Sequence, residues 1–141
     1  MDVENTEKGL PIVQVASAVI CDSREKNKIF ATQRGVGDMK GGWEFPGGEL
    51  LPGENFERAL VREVREELNV KVIVGKYIGT VEHDFPNFHL TMKCYYAYIE
   101  SGKMVFKEHM DSKWLSKDEL DTVDWLSVDK DLLDIIRKDM K

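Results

Sequence analysis

Three glutamates, Glu63, Glu66 and Glu67, stand three and four residues apart within the stretch GGELLPGENFERALVREVREELNV, from Gly47 to Val70. On a helix that spacing gathers their carboxylates on one face. At about 100° per residue they fall within roughly 100° of arc. Phe56, Leu60, Val64 and Leu68 form an apolar stripe beside them. The acidic face therefore borders the buried face. Like charges so placed destabilise a bare helix by about 0.2–0.5 kcal/mol per pair, and a local rule broken this way marks a functional site. A bound cation relieves the conflict. Few, acidic, oxygen-only ligands suit Mg²⁺ or Mn²⁺, with a substrate phosphate completing the shell. The bland alternative is a solvated Glu/Arg face, with Arg58, Arg62 and Arg65 as surface charge. The preceding residues weigh against it. Gly47-Gly48 and Pro52-Gly53 punctuate a loop that runs straight into the helix, and Glu54 precedes Asn55, a good N-cap.

The elements that must hold this helix follow from the rest of the chain. Residues 11–21, PIVQVASAVIC, read as an interior strand. Residues 28–34, KIFATQR, alternate and read as its hairpin partner. A glycine-rich loop spans 35–42, and Trp43 to Pro46 is a short extended piece. The helix covers about 55–69. Residues 70–82 make a strand with a bend at Gly75, a turn follows at 84–87, and residues 88–100 return as a strand to a turn at Ser101-Gly102. A short strand covers 113–115. Ser116 and Glu119 form a capping-box pattern. Ser127 opens a last helix reaching about Asp139, with Leu132, Leu133, Ile135 and Ile136 as its buried side. Strands on both sides of one helix, plus a terminal helix, predict an α/β fold with a mixed sheet between helices.

Composition narrows the class. The chain has 141 residues, 42% of them hydrophobic and 33% charged, with a net charge of −6. That is one globular domain over 11–141, preceded by a polar, frayed segment at 1–10. No basic stripe is available for a nucleic-acid backbone, so long RNA or DNA is not an expected partner. No apolar run is long enough to span a membrane and no signal-peptide pattern is present. Cys21 and Cys94 lie in strand-like runs and read as buried thiols. These features together predict a cytoplasmic protein.

The acidic stretch resembles the Nudix signature, G-x5-E-x7-R-E-U-x-E-E-x-G-U with U aliphatic. It is matched here by Gly48, Glu54, Arg62, Glu63, Val64, Glu66, Glu67, Asn69 and Val70. Asn69 replaces a glycine at what reads as the left-handed end of the helix, where asparagine is the next best residue. The flanking segments also resemble small MutT-type members. The resemblance implies a Nudix α/β/α sandwich and Mg²⁺, with Mn²⁺ as an alternative ion. It assigns Glu63 and Glu67 as metal ligands, Glu66 nearby, and the Gly47 carbonyl as a further ligand. Glu54 and Arg62 are implied to support them from behind. Glu108 matches a glutamate that binds metal or activates water in MutT-like proteins. Glu63, Glu66, Glu67 and Glu108 are thus the implied catalytic set. Arg34 matches a phosphate-contacting arginine, whose fork suits phosphate oxygens. Lys40 is a weaker candidate.

Base recognition is expected elsewhere. Phe45, Phe85, Phe88 and Trp125 are candidate stacking surfaces, although core packing is the commoner fate of such residues. Asp129 falls where MutT-like proteins carry a residue that reads the base edge; an N-cap or exposed acid is the alternative. Ionised, it accepts only, from cytosine N4 or equally from guanine N1–H and N2–H₂. The resemblance implies hydrolysis of a (deoxy)nucleoside triphosphate, of CTP/dCTP type or oxidised like 8-oxo-dGTP, to a monophosphate and pyrophosphate. The small-molecule substrate would bind a monomer or homodimer. Hydrolysis of nucleotide sugars or dinucleoside polyphosphates is one alternative. A non-catalytic nucleotide-binding module is the other.

Overall fold

The first strand, β1 (Ile12–Cys21), is buried on both faces from Ala16 onward, as its near-continuous apolar run requires. In the computed structural model, which describes residues 5–7, 9–106 and 109–141, it is the centre of a seven-stranded mixed sheet. The other strands are β2 (Lys28–Arg34), β3 (Trp43–Glu44), β4 (Gly47–Glu49), β5 (Val70–Asp84), β6 (His89–Gly102) and β7 (His109–Ser116). β6 runs parallel to β1 along its whole length, from Ile12 opposite His89 to Cys21 opposite Tyr98. On the other side β1 meets β2 only at Cys21 and Ile29, and then pairs with β4 from Val15 to Ser17. β3 pairs with β2 at Thr32 and Gln33. The segment 43–49 is therefore a wedge between two diverging strands, turned at Phe45-Pro46. β5 and β7 form the edges, antiparallel to β6 and β2.

Two cores sit on the two faces of the sheet. Helix α1 (Phe56–Leu68) lays Ala59, Leu60, Val64 and Leu68 on Ala16, Ala18, Ile20 and Phe30. The opposite face carries Val19, Trp43, Phe45, Cys94, Tyr96 and Trp125 under helices α2 (Ser127–Lys130) and α3 (Leu133–Asp139). This is the expected sheet between helices. Both cysteines are buried free thiols, as read from the sequence.

Several expectations are corrected. Gly47-Gly48 is not loop but strand β4. Residues Ser101 and Gly102 belong to β6, whose end lies beyond the expected turn. The last helix is two helices, because bonds from Leu132 N–H to the Asp129 carbonyl tighten the chain by three residues rather than four. The resulting rotation leaves Ile135 exposed while Leu132, Leu133 and Ile136 stay buried. Near the N-terminus, Asn5 bridges to Pro11 and Thr6 N–H bonds to the Leu10 carbonyl. Among the described residues no helix is long and apolar enough to cross a membrane.

Candidate active site

Helix α1 is fixed at both ends by the residues the sequence offered. Asn55 Oδ1 accepts the Arg58 N–H at 2.8 Å, and Asn69 takes the left-handed conformation, φ 60° and ψ 30°, with its N–H on the Arg65 carbonyl. The helix thereby presents Glu63, Glu66 and Glu67 to a cavity of about 690 Å³. The wedge supplies the neighbouring wall through Glu44, Phe45, Pro46 and Gly47, and β2 adds Thr32 and Arg34. The loop after β2 closes the rim with Val36, Gly37 and Asp38.

The two glycines of β4 are present for different contacts. A Cβ on Gly47 would lie 2.0 Å from the Ala16 carbonyl oxygen, so glycine lets β4 lie against β1. A Cβ on Gly48 would lie 2.4 Å from Glu63 Cδ, so glycine makes room for the carboxylate itself.

Arg62 binds the acidic row together. Its Nε and Nη2 take both oxygens of Glu54, at 2.7 and 2.9 Å. Nη1 donates to Glu63 Oε1 at 2.8 Å and to Glu66 Oε2 at 3.2 Å, and Nη2 also reaches the Glu49 carbonyl at 2.9 Å. Glu54 Oε1 accepts the Leu51 N–H at 2.7 Å as well. The Arg62 bonds, with the Leu51 N–H, hold the Glu54 carboxyl down at about 2. Arg62 is thus an organiser of carboxylates rather than a loose surface charge.

Arg34 lines the cavity but already has a partner. Nε and Nη2 grip Glu44 at 2.9 and 2.6 Å, and Nη1 donates to the Asp38 carbonyl at 2.9 Å. Asp129 is not the N-cap or exposed acid of the alternative reading. It is only 3% exposed, it does not line the cavity, and its Oδ1 accepts the Phe45 N–H at 3.4 Å. Burial, then the charge of Glu44, pushes its carboxyl up to about 8. The helix cap position is held by Leu126. Phe45 packs on Trp125 with ring centroids 4.7 Å apart. Phe85 and Phe88 stack on each other away from the cavity, and Lys40 is an exposed loop residue. Glu108 lies outside the described residues.

Glu44, Thr32 and Asp38 were missed in the sequence. Only Glu44 carried a signal: it alternates with Trp43 and Phe45, both buried, and so must face the other way.

Compared with known families, residues 12–139 match the NUDIX domain. The chain belongs to the Nudix family. As a Nudix hydrolase it is an enzyme, and such hydrolases use divalent metal ions and act on small nucleotides. It is 43% identical over 81 residues to an 8-oxo-dGTP diphosphatase of Proteus vulgaris, which covers 57% of this chain and 70% of that one. It is 29% identical over 110 residues to the CTP pyrophosphohydrolase of Escherichia coli, covering 78% and 80%. The solution structure of the E. coli ORF135 protein superposes with a TM-score of 0.79 at 26% identity, over 95% of this chain and 94% of that one.

The carboxylate oxygens of Glu63, Glu66 and Glu67 on one wall of this Nudix site suit a hard divalent ion. Among the described residues no three acidic, imidazole or thiol side chains converge on one point. Glu63 and Glu66 instead lean on one nitrogen of Arg62, so an ion held here would need ligands besides these side chains.

Proposed function

We propose that this Nudix hydrolase is a Mg²⁺-dependent pyrophosphohydrolase of nucleoside triphosphates, with Mn²⁺ able to replace Mg²⁺. Its substrates are cytidine triphosphates or oxidised purine triphosphates of the 8-oxo-dGTP type. One observation carries the reading. A single cavity has three carboxylates of α1 on one wall and an arginine fork on another, which is what a chelated polyphosphate requires. The names of the two relatives above supply the choice of bases.

Glu63 and Glu67, with the Gly47 carbonyl, would hold the ion, and Glu66 would stand beside them. Glu108 completes this proposed set. A bound Mg²⁺ neutralises phosphate charge and lowers the pKa of a coordinated water. The chain's own residues do the rest. Arg62 and Glu54 hold the Glu63 carboxylate in place, and Arg34 orients the phosphates. Phe45 and Asp129 serve the base end. Water attacks an inner phosphorus as the bridging P–O bond breaks, and the products are a nucleoside monophosphate and pyrophosphate. We place the protein in the cytoplasm, as a monomer or homodimer, with small nucleotides rather than long nucleic acid as partners.

The deciding experiment is a Mg²⁺-dependent screen of the purified protein with products resolved. It covers canonical and oxidised (d)NTPs, ADP-ribose, NADH and diadenosine polyphosphates. Monophosphate plus pyrophosphate from CTP, dCTP or 8-oxo-dGTP is expected. Turnover confined to ADP-ribose, NADH or diadenosine polyphosphates would sink the proposal.

A further inference from the structure

Glu44 has no place in the acidic row, yet it lines the same cavity from a different wall. Strand β3 puts it there. Trp43 and Phe45 are buried in the core beneath α2 and α3, and alternation turns Glu44 away from them. Its two oxygens hold Arg34 Nη2 and Nε at 2.6 and 2.9 Å. With the Asp38 carbonyl on Nη1, three of the five guanidinium N–H groups are engaged and the plane of the fork is fixed. The pair is half-buried, with side-chain exposures of 33% for Arg34 and 22% for Glu44.

A second contact leads from the next residue to a buried carboxyl outside the cavity lining. The amide of Phe45, the residue after Glu44, donates to the buried carboxyl of Asp129. That carboxyl faces the Glu44 charge from β3, the Arg34 charge from β2 and the Cys94 thiol from β6. Ser17 of β1 bonds that thiol in turn. Glu44 therefore bonds Arg34 directly and acts through its charge on the buried Asp129 carboxyl.

Given the nucleotide reading above, we propose that Glu44 is a positioning residue. It locks the Arg34 fork in the orientation that receives phosphate, and its charge couples that fork to the buried Asp129 carboxyl. Glu44 itself touches neither the ion nor the reacting phosphorus. Loss of its charge should loosen substrate binding rather than slow the chemical step. It should also leave Asp129 facing Arg34 without an opposing carboxylate, so that Asp129 gives up its proton at lower pH.

Glu44→Gln keeps the shape of the side chain and removes the charge. Two measurements are made on it: steady-state kinetics on the best nucleotide, and an NMR titration of ¹³C-labelled aspartate carboxyls in the ligand-free protein, with Asp129→Asn to assign the signal. KM is expected to rise roughly tenfold, the loss typical of removing an outer partner that holds a ligand-binding side chain, while kcat changes little. The Asp129 titration is expected to move to lower pH. Glu44→Asp should recover part of the KM. Arg34→Lys keeps the charge but loses the fork, so it should raise KM while leaving Asp129 titrating near its original pH. An unmoved KM, or an unmoved Asp129 titration, in Glu44→Gln overturns the proposal. Should the wild-type protein hydrolyse no nucleoside triphosphate, the substrate reading fails, and the ligand-free titration still decides whether Glu44 acts on Asp129.

Discussion

Arg62 shows how one side chain turns a repulsive row into a site. A flat fork with five donors satisfies Glu54, Glu63, Glu66 and a backbone carbonyl together. A lysine carries the same charge at a single point and cannot span those acceptors. Arg62→Lys is therefore expected to weaken Mn²⁺ binding by about 10–100-fold while circular dichroism shows α1 intact. Unchanged affinity in a calorimetric titration would mean that the fork does not hold Glu63. Asp129 yields a prediction of opposite character. Its carboxyl rises from 3.8 to about 8 in the folded protein, so the native state keeps a proton that the unfolded chain releases. Stability must then fall as pH rises from about 4 to about 8, by up to about 1.4 kcal/mol per pH unit. Asp129→Asn lacks this slope. In urea unfolding at pH 5 and pH 7.5, the variant should gain on the wild type at the higher pH, and parallel behaviour would refute the buried neutral acid. At this scale the sequence exposed the acidic row, because its charges break a helix rule. It did not expose the burial of Asp129, which depends on a segment 84 residues away in the chain closing over it.

Strand β4 was the element least legible in the sequence. Glycine is depleted in strands, so GG reads locally as loop. Contact with β1 overrides that propensity, and the same contact explains why glycine is needed. The two positions should separate stability from function. At Gly47 an added methyl meets backbone, the Ala16 carbonyl at 2.0 Å and Ser17 Cα at 2.9 Å. Gly47→Ala should part β4 from β1 and destabilise the fold by about 1–3 kcal/mol. At Gly48 the nearest atoms to the methyl belong to the flexible Glu63 side chain, which can swing away. Gly48→Ala should melt close to wild type and lose most of its Mn²⁺ affinity. Differential denaturation and metal titration of the two variants test this directly, and a reversed pattern would mean that Gly47, not Gly48, makes room for the carboxylate. The helix α1 was legible to within a residue or so at either end, since its caps are local. The break between α2 and α3 was not, because the apolar pattern runs through it and only the tightened turn at 129–132 reveals the rotation.

The sheet divides the molecule into the face that carries α1 with its glutamates and the face that carries Phe45 and Trp125; in the proposed function the first meets the ion and the second supports the base end. Leu60 belongs to the core under α1, and Ile136 to the core that includes Phe45 and Trp125. The sheet between helices was legible in the sequence, but the order of its strands was not. Propensity and alternation identify strands but do not say that β1 pairs in parallel with β6. Truncating either residue to alanine should cost about 2–5 kcal/mol. The two cores have no member in common and the sheet lies between them, so the costs should add to within about 0.5 kcal/mol in the double variant. The functional effects should not be alike. Leu60→Ala loosens the helix that carries Glu63, Glu66 and Glu67, and should weaken Mn²⁺ binding. Ile136→Ala loosens the packing beneath Phe45 and Asp129, and should raise the KM for nucleotide while metal affinity holds. Urea unfolding, metal titration and steady-state kinetics on the two single variants and the double variant check all three statements. A coupling well above 1 kcal/mol, or a loss of metal affinity in Ile136→Ala equal to that in Leu60→Ala, would show that the two faces act as one packed unit and that the sheet does not insulate the metal side from the base side.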